Sequence, residues 1–164
     1  MLKPIDTVYR GHRFRSRLEA RWAVFFDALG WEWEYEVEGF DLGGGDYYLP
    51  DFLFEKSAWI EVKVGPPTES ELRKAKKLAE QSGLSVLFAI GPPEPKRICD
   101  GLPGFDADGG LEWVEELATI NNYCRHKWGR PGWVLGGTPD EDDIAACDAA
   151  RMARFEFGEN GSRK

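Results

Sequence analysis

Residues 84–90, Leu-Ser-Val-Leu-Phe-Ala-Ile, form an almost unbroken apolar run. A strand of that composition is buried on both faces, so its sheet needs a covering layer on each side. The preceding segment supplies one. Thr68 followed three residues later by Glu71 is a capping-box signature, Leu72, Ala75 and Leu78 recur at helical spacing, and Gly83 is a stop signal. Together they predict a helix over 69–82, entered after Pro66 and Pro67 break the sheet. Upstream, 58–64 (AWIEVKV) and 47–54 (YYLPDFLF) have strand composition, and the short Glu55-Lys56-Ser57 link suits a hairpin. Residues 31–42 (WEWEYEVEGFDL) alternate apolar side chains with Glu, the period of a half-exposed strand, and Gly43 to Asp46 is a turn. A first helix is expected from about Phe14 to Leu29 on the stripe Leu18, Trp22, Phe25 and Leu29, widened by Phe26 and ended by Gly30. The order is helix, three meandering strands, helix, strand, which gives an α/β sandwich.

The rest of the chain is less regular. Residues 93–138 are rich in Gly and Pro, with one short helix predicted over 111–123 from Leu111, Val114, Leu117 and Ala118. A final helix is expected over 139–157, with Thr138 as cap, Pro139 in the first position, and Glu141 completing a capping box. Ile144, Cys147, Met152 and Phe155 are its expected inner face. At 164 residues the chain is read as a single domain with a core over about 7–92. Apolar residues make up 42% and aromatics 13%, enough to bury a core and to exclude a disordered tail or a disulfide-stapled scaffold. No run of ~18 apolar residues predicts a membrane span, and the opening MLKPIDTVYRGHRFRSR lacks the apolar stretch of a signal peptide. Three widely spaced cysteines make no disulfide framework, so a reduced, cytoplasmic setting is expected. Cys99, Cys124, His126 and Cys147 contain no C-x-x-C pair, and buried thiols are favoured over a zinc site. Trp113, Trp128 and Trp133 are read as core or loop anchors before base-stacking platforms.

The net charge of -8 hides a pattern. Residues 1–30 carry six cations against three carboxylates, 31–62 one against nine, and 63–97 seven against four. Two basic segments therefore flank an acidic one. Overall acidity steers a protein away from nucleic acid, but a local basic patch still holds a phosphate backbone.

Within the acidic stretch and the helix before it, several charges stand where packing alone would not put them. Glu19 has Leu18, Trp22, Ala23 and Phe26 as helical neighbours and so points into or beside the buried stripe. Its bland reading is a salt bridge to Arg15 or a place at the rim. Asp51 follows Pro50, which cannot donate to a ladder and so interrupts pairing just before it; alone it reads as a turn residue. Ile60, Val62 and Val64 share one face of their strand and are expected in the core. Trp59, Glu61 and Lys63 share the other, where acid and amine alone make a weak surface pair. The strands are hairpin neighbours, so Asp51 and Glu61 can approach across the ladder, and a helix packed on that sheet can bring Glu19 to the same spot. Like charges so close cannot all ionise without a cation between them. Hard oxygen ligands suit Mg²⁺ or Mn²⁺, and such an ion with Lys63 nearby is what phosphodiester hydrolysis requires.

Pro50-Asp51, nine intervening residues, then Glu61-Val62-Lys63 is similar to the signature of the PD-(D/E)XK nucleases. FRSRLEARWAVFFDALG, YLPDF and WIEVKV resemble segments of small nucleases encoded by phages and mobile elements. The likeness covers about residues 7–92 and the last helix. It implies a restriction-endonuclease-like core: helix, three antiparallel strands, helix, strand. It further implies Asp51 and Glu61 as metal ligands with the Val62 carbonyl, Glu19 as an auxiliary ligand directly or through water, and Lys63 as the residue that positions or activates the water.

The leading expectation is thus a Mg²⁺- or Mn²⁺-dependent endonuclease acting on duplex, branched or single-stranded DNA. Arg13, Arg15 and Arg17, within the basic stretch that also holds Arg10, His12 and Arg21, flank Glu19 and are expected to contact phosphates. One active site cuts one strand, so double-strand cleavage would favour a homodimer. Two other classes stay open: a non-catalytic nucleic-acid-binding or phage regulatory protein that keeps the fold, and an acidic DNA mimic supported only by the charge of 31–62. The intact Asp51, Glu61 and Lys63 argue against both.

Overall fold

The computed structural model describes residues 6–100, 102–105, 107, 113–114 and 139–155. The chain opens with a hairpin absent from the sequence expectation, β1 (Thr7–Tyr9) and β2 (His12–Phe14). Its turn places Arg10 and Gly11 at positive φ, the backbone that matches strand twist. Helix α1 therefore starts later than Phe14. It spans Arg17–Ala28 with Ser16 as N-cap, and Phe14 is instead a fully buried strand residue.

The segment expected as one strand over 31–42 is divided. β3 (Trp33–Tyr35) belongs to the main sheet, and Glu36 at positive φ turns the chain out of it. β4 (Phe40–Asp41) then pairs with β5 (Tyr47–Tyr48) in a separate two-stranded ribbon. The predicted strand 47–54 is likewise cut at Pro50-Asp51, and β6 is Phe52–Phe54. A turn with Glu55 and Lys56 at positive φ leads into β7 (Ala58–Lys63). Helix α2 runs Glu69–Ser82, with both halves of the Thr68–Glu71 box formed and Gly83 left-handed at its end. After it come β8 (Ser85–Ile90), α3 (Pro95–Asp100), β9 (Gly104–Phe105), β10 (Trp113–Val114) and α4 (Glu141–Met152).

The architecture is mixed α/β. One six-stranded sheet has the order β10-β9-β8-β7-β6-β3. β3, β6 and β7 are antiparallel, and α2 carries the chain across so that β8 lies parallel to β7. Successive side chains of β7 face opposite ways. Ile60 and Val62 join Phe52, Phe54 and the Trp22, Phe25 and Phe26 stripe of α1 in one apolar cluster. Trp59 joins Val86, Phe88 and the Ala75, Leu78 and Ala79 face of α2 in the other. Trp22 pins α1 to the end of the sheet by donating its indole N–H to the Gly91 carbonyl at 2.9 Å.

Three further expectations are corrected. Val64 is not core: β7 ends at Lys63, and Val64 is 90% exposed. Trp113 and Val114 pair with β9, so they are strand and not helix; the remainder of 111–123 lies outside the described residues. Helix α4 is capped by Asp140, in a box with Asp143, and not by Thr138 with Glu141. Cys147 faces inward as expected, together with Ala146 and Ala150, whereas Ile144 and Met152 are exposed; small side chains let α4 lie close on α1. Phe155, beyond the helix, still packs against that cluster. Cys147 is buried in this contact, while Cys124 and His126 fall outside the described residues. Among the described residues no helix is long and apolar enough to cross a membrane.

Gly104 lies opposite Leu87, and a Cβ there would meet the Val86 carbonyl oxygen at 2.1 Å. Gly104→Ala should lower the thermal midpoint by about 4–8 °C, on the order of 2 kcal/mol of overpacking. An unchanged midpoint in a calorimetric scan would contradict that close approach.

Candidate active site

The antiparallel register that sets Phe52 opposite Ile60, continued by one residue, puts Asp51 opposite Glu61. Pro50 interrupts β6 there, and the Asp51 side chain takes over the ladder: its Oδ2 accepts the Val62 N–H at 2.7 Å. On the other flank the Asp51 carbonyl accepts the Glu36 N–H at 2.9 Å. Asp51 is therefore fixed, backbone and side chain, between β3 and β7, and it is buried.

Glu61 is buried as well. Its Oε1 lies 2.8 Å from Lys63 Nζ, and its Oε2 is buried with no well-formed hydrogen bond. Lys63 Nζ is also 2.8 Å from Glu71 Oε1, a residue of the first turn of α2. The buried Tyr48 hydroxyl stands beside Glu61 and favours its charged form.

Glu19 is held from the opposite helix layer. Its Oε1 accepts from Ser16 Oγ at 2.6 Å, and its Oε2 accepts from the Tyr35 hydroxyl at 2.5 Å and the Arg15 N–H at 3.2 Å. The salt bridge to the Arg15 side chain, one bland reading of Glu19, is not formed. That guanidinium spans Glu36 Oε1 at 2.6 Å and Asp51 Oδ1 at 3.2 Å instead. Both Glu19 oxygens accept hydrogen bonds, which fix the carboxylate on its own side of the site.

The electrostatics record the crowding. Burial pushes the Asp51 carboxyl up, and the charges of Glu61 and Glu19 push it further, against the Val62 N–H and Arg15. Burial raises Glu61 too, opposed by Lys63, Arg15 and Tyr48. Burial works against the Lys63 ammonium, but Glu61 and Glu71 outweigh it and hold Lys63 above the ordinary lysine range. Among the described residues no three His, Cys, Asp or Glu side chains converge as a ready metal cage. What converges is a buried pair, Asp51 and Glu61, with the Val62 backbone between β6 and β8.

Glu19, Asp51, Glu61 and Lys63 are thus brought to one end of the sheet. Of the phosphate candidates, Arg15 reaches the site. Arg13 is paired with Asp6 at 2.6 Å, and Arg17 opens α1. Arg10 pairs with Asp27, and Arg21 caps α4 by donating to the Ala150 and Arg151 carbonyls. Glu36, Tyr35, Tyr48 and Glu71 were not legible as site residues. Glu36 and Tyr35 fit the strand alternation, and Glu71 was fully explained by its capping signature. Comparison with protein-family models, curated proteins and solved structures returned no match.

The sign of the pH dependence follows from Asp51. Its folded pKa lies above the ordinary unfolded value of ~3.9. Its contribution to stability is full below about pH 4 and is lost as pH rises through the raised value. Asn keeps an acceptor for the Val62 N–H and removes the repulsion. In EDTA at pH 8, Asp51→Asn should raise the thermal midpoint by about 2–4 °C, on the order of 1 kcal/mol, with no gain at pH 4. A lower midpoint at pH 8 would contradict the repulsion.

Proposed function

We propose that the chain is a divalent-metal-dependent endonuclease that hydrolyses DNA phosphodiester bonds on a restriction-endonuclease-like core. One observation carries the reading. A buried glutamate whose Oε2 has no well-formed hydrogen bond, Glu61, sits beside a buried aspartate and a lysine on the same strand end. An orphaned buried carboxylate oxygen is costly unless a cation or donor meets it. The succession α1, β3, β6, β7, α2, β8 supports the same reading.

Asp51 and Glu61, with the Val62 carbonyl, would hold Mg²⁺ or Mn²⁺, and Glu19 would reach it through water. A divalent ion there supplies charge neutralisation at the scissile phosphate and a more acidic bound water. The protein's own residues do the rest. Lys63 lies between two carboxylates that favour its ammonium form, which suits it to donate rather than to serve as a general base. Its ammonium orients the attacking water or donates to a phosphoryl oxygen as negative charge builds there. The Arg15 guanidinium, more than half exposed beside Asp51, is placed to take a phosphate oxygen once a cation competes for that carboxylate.

The test is cleavage of supercoiled plasmid, single-stranded DNA and a branched junction in Mg²⁺, Mn²⁺ or EDTA. Cutting should need the metal, and Lys63→Ala should reduce it by roughly 10²–10³-fold while the variant keeps a cooperative thermal transition. Cutting in EDTA, or a Lys63→Ala variant as active as wild type, would overturn the assignment. Silence on every substrate would favour the non-catalytic binding protein.

A further inference from the structure

Glu71 carries two loads at once. Its Oε2 closes the N-terminus of α2, accepting from the Thr68 N–H at 2.7 Å and the Thr68 hydroxyl at 2.9 Å. Its Oε1 lies 2.8 Å from Lys63 Nζ, the same distance that separates Lys63 from Glu61. A lysine side chain has four rotatable carbons and, left to itself, samples many positions. Here the ammonium is gripped from both sides, by its own strand and by the first turn of the crossover helix. The capping box stiffens that second grip, since the oxygen not used by Lys63 is fixed to the Thr68 backbone. A helix cap alone needs no lysine, and a lysine beside Glu61 alone needs no helix. The two are joined by one carboxylate.

We infer that Glu71 is a positioning residue that fixes the Lys63 ammonium at the Asp51–Glu61 site by anchoring it to the N-terminus of α2. The role rests on the phosphodiester-hydrolysis reading and deepens it. Lys63 does its work as a donor at a fixed point, and the fixed point is set by α2. The tether gives the 63–68 connection, with Pro66 and Pro67 in it, a second function besides leaving the sheet. It holds the two ends of Glu71's grip at constant separation.

The two loads can be separated, because this protein already shows a capping box closed by the shorter acid: on α4, Asp143 closes the box with Asp140. Glu71→Asp keeps a carboxylate that can cap α2 but draws it back by one carbon–carbon bond, about 1.5 Å, out of contact with Lys63. Thr68→Ala does the reverse: it removes the hydroxyl and weakens the cap but keeps the Thr68 main-chain N–H that anchors Glu71 Oε2, so the grip on Lys63 is retained. Glu71→Asp should lower kcat on the order of 10–100-fold with KM for DNA unchanged, and should keep the wild-type thermal midpoint. Thr68→Ala should lower the midpoint and leave kcat within about twofold.

A second readout does not depend on turnover. In a lysine-selective ¹H–¹⁵N spectrum at low temperature, a Lys63 ammonium held by two carboxylates gives a protected signal. Glu71→Asp should abolish it, and Thr68→Ala should not. Glu71→Asp with wild-type kcat, an equal kcat loss in Thr68→Ala, or a Lys63 signal that survives Glu71→Asp would each overturn the positioning role. If wild type cleaves no substrate, the hydrolysis reading falls and takes the role with it. A cleaving wild type with an indifferent Glu71→Asp overturns the role alone.

Discussion

The hydrogen bond from the Val62 N–H to the Asp51 carboxylate, 2.7 Å long and buried, is the contact on which the site depends. In the continued register Val62 stands opposite Pro50, beyond the end of β6, where its N–H has no ladder carbonyl to donate to. The Asp51 side-chain oxygen accepts that N–H in place of a main-chain carbonyl, so a carboxylate is drawn into the sheet where an ordinary strand would have kept it out. Glu61, the next residue back along β7, is then necessarily its neighbour. The break in the sheet and the convergence of charge are one event.

That arrangement opposes folding locally. Two buried carboxylates, with the charge of Glu19 acting on them from the helix layer, push the Asp51 carboxyl up. Cations offset part of this: Arg15 on Asp51 and Lys63 on Glu61. The fold tolerates the remainder because the site lies at one end of β6 and β7 while the apolar clusters sit along both faces of the sheet. Rigid elements hold every member of the site. Asp51 lies at a strand end, Glu61 and Lys63 are on β7, Glu19 is on α1, and Glu71 is on α2. Charges placed on stiff supports keep their separations, which is what a preorganised site demands.

What could be read from residues alone depended on whether the deciding interaction was local. Helix α2 has the bounds its cap and stop residues announce, because Thr68, Glu71 and Gly83 settle their conformations within a few residues of themselves. The burial of Glu19 followed from its apolar helical neighbours in the same way. The division of 31–42 was invisible, since alternation continues through Glu36 and only the left-handed backbone there ends the pairing. Helix α4 is capped by Asp140, two residues after the expected Thr138, and its inward face of Ala146 and Ala150 against the α1 cluster is a tertiary matter that a cap signature does not carry. The partners of the basic stretch were equally hidden. Arg10, Arg13 and Arg21 look alike in sequence, yet Asp27, Asp6 and the end of α4 claim them. Arg15 differs because the strand end presents Glu36 and Asp51 to it.

The central claim is that the Asp51–Glu61 pair is a cation site left partly satisfied by arginine and lysine. The most direct measurement is a crystal structure grown with Mn²⁺ and recorded at a wavelength where manganese scatters anomalously. The account predicts a single strong anomalous peak about 2.1 Å from one oxygen each of Asp51 and Glu61, with the Arg15 guanidinium displaced from Asp51. An ordered site with no peak, and Arg15 still on the carboxylate at saturating Mn²⁺, would contradict it.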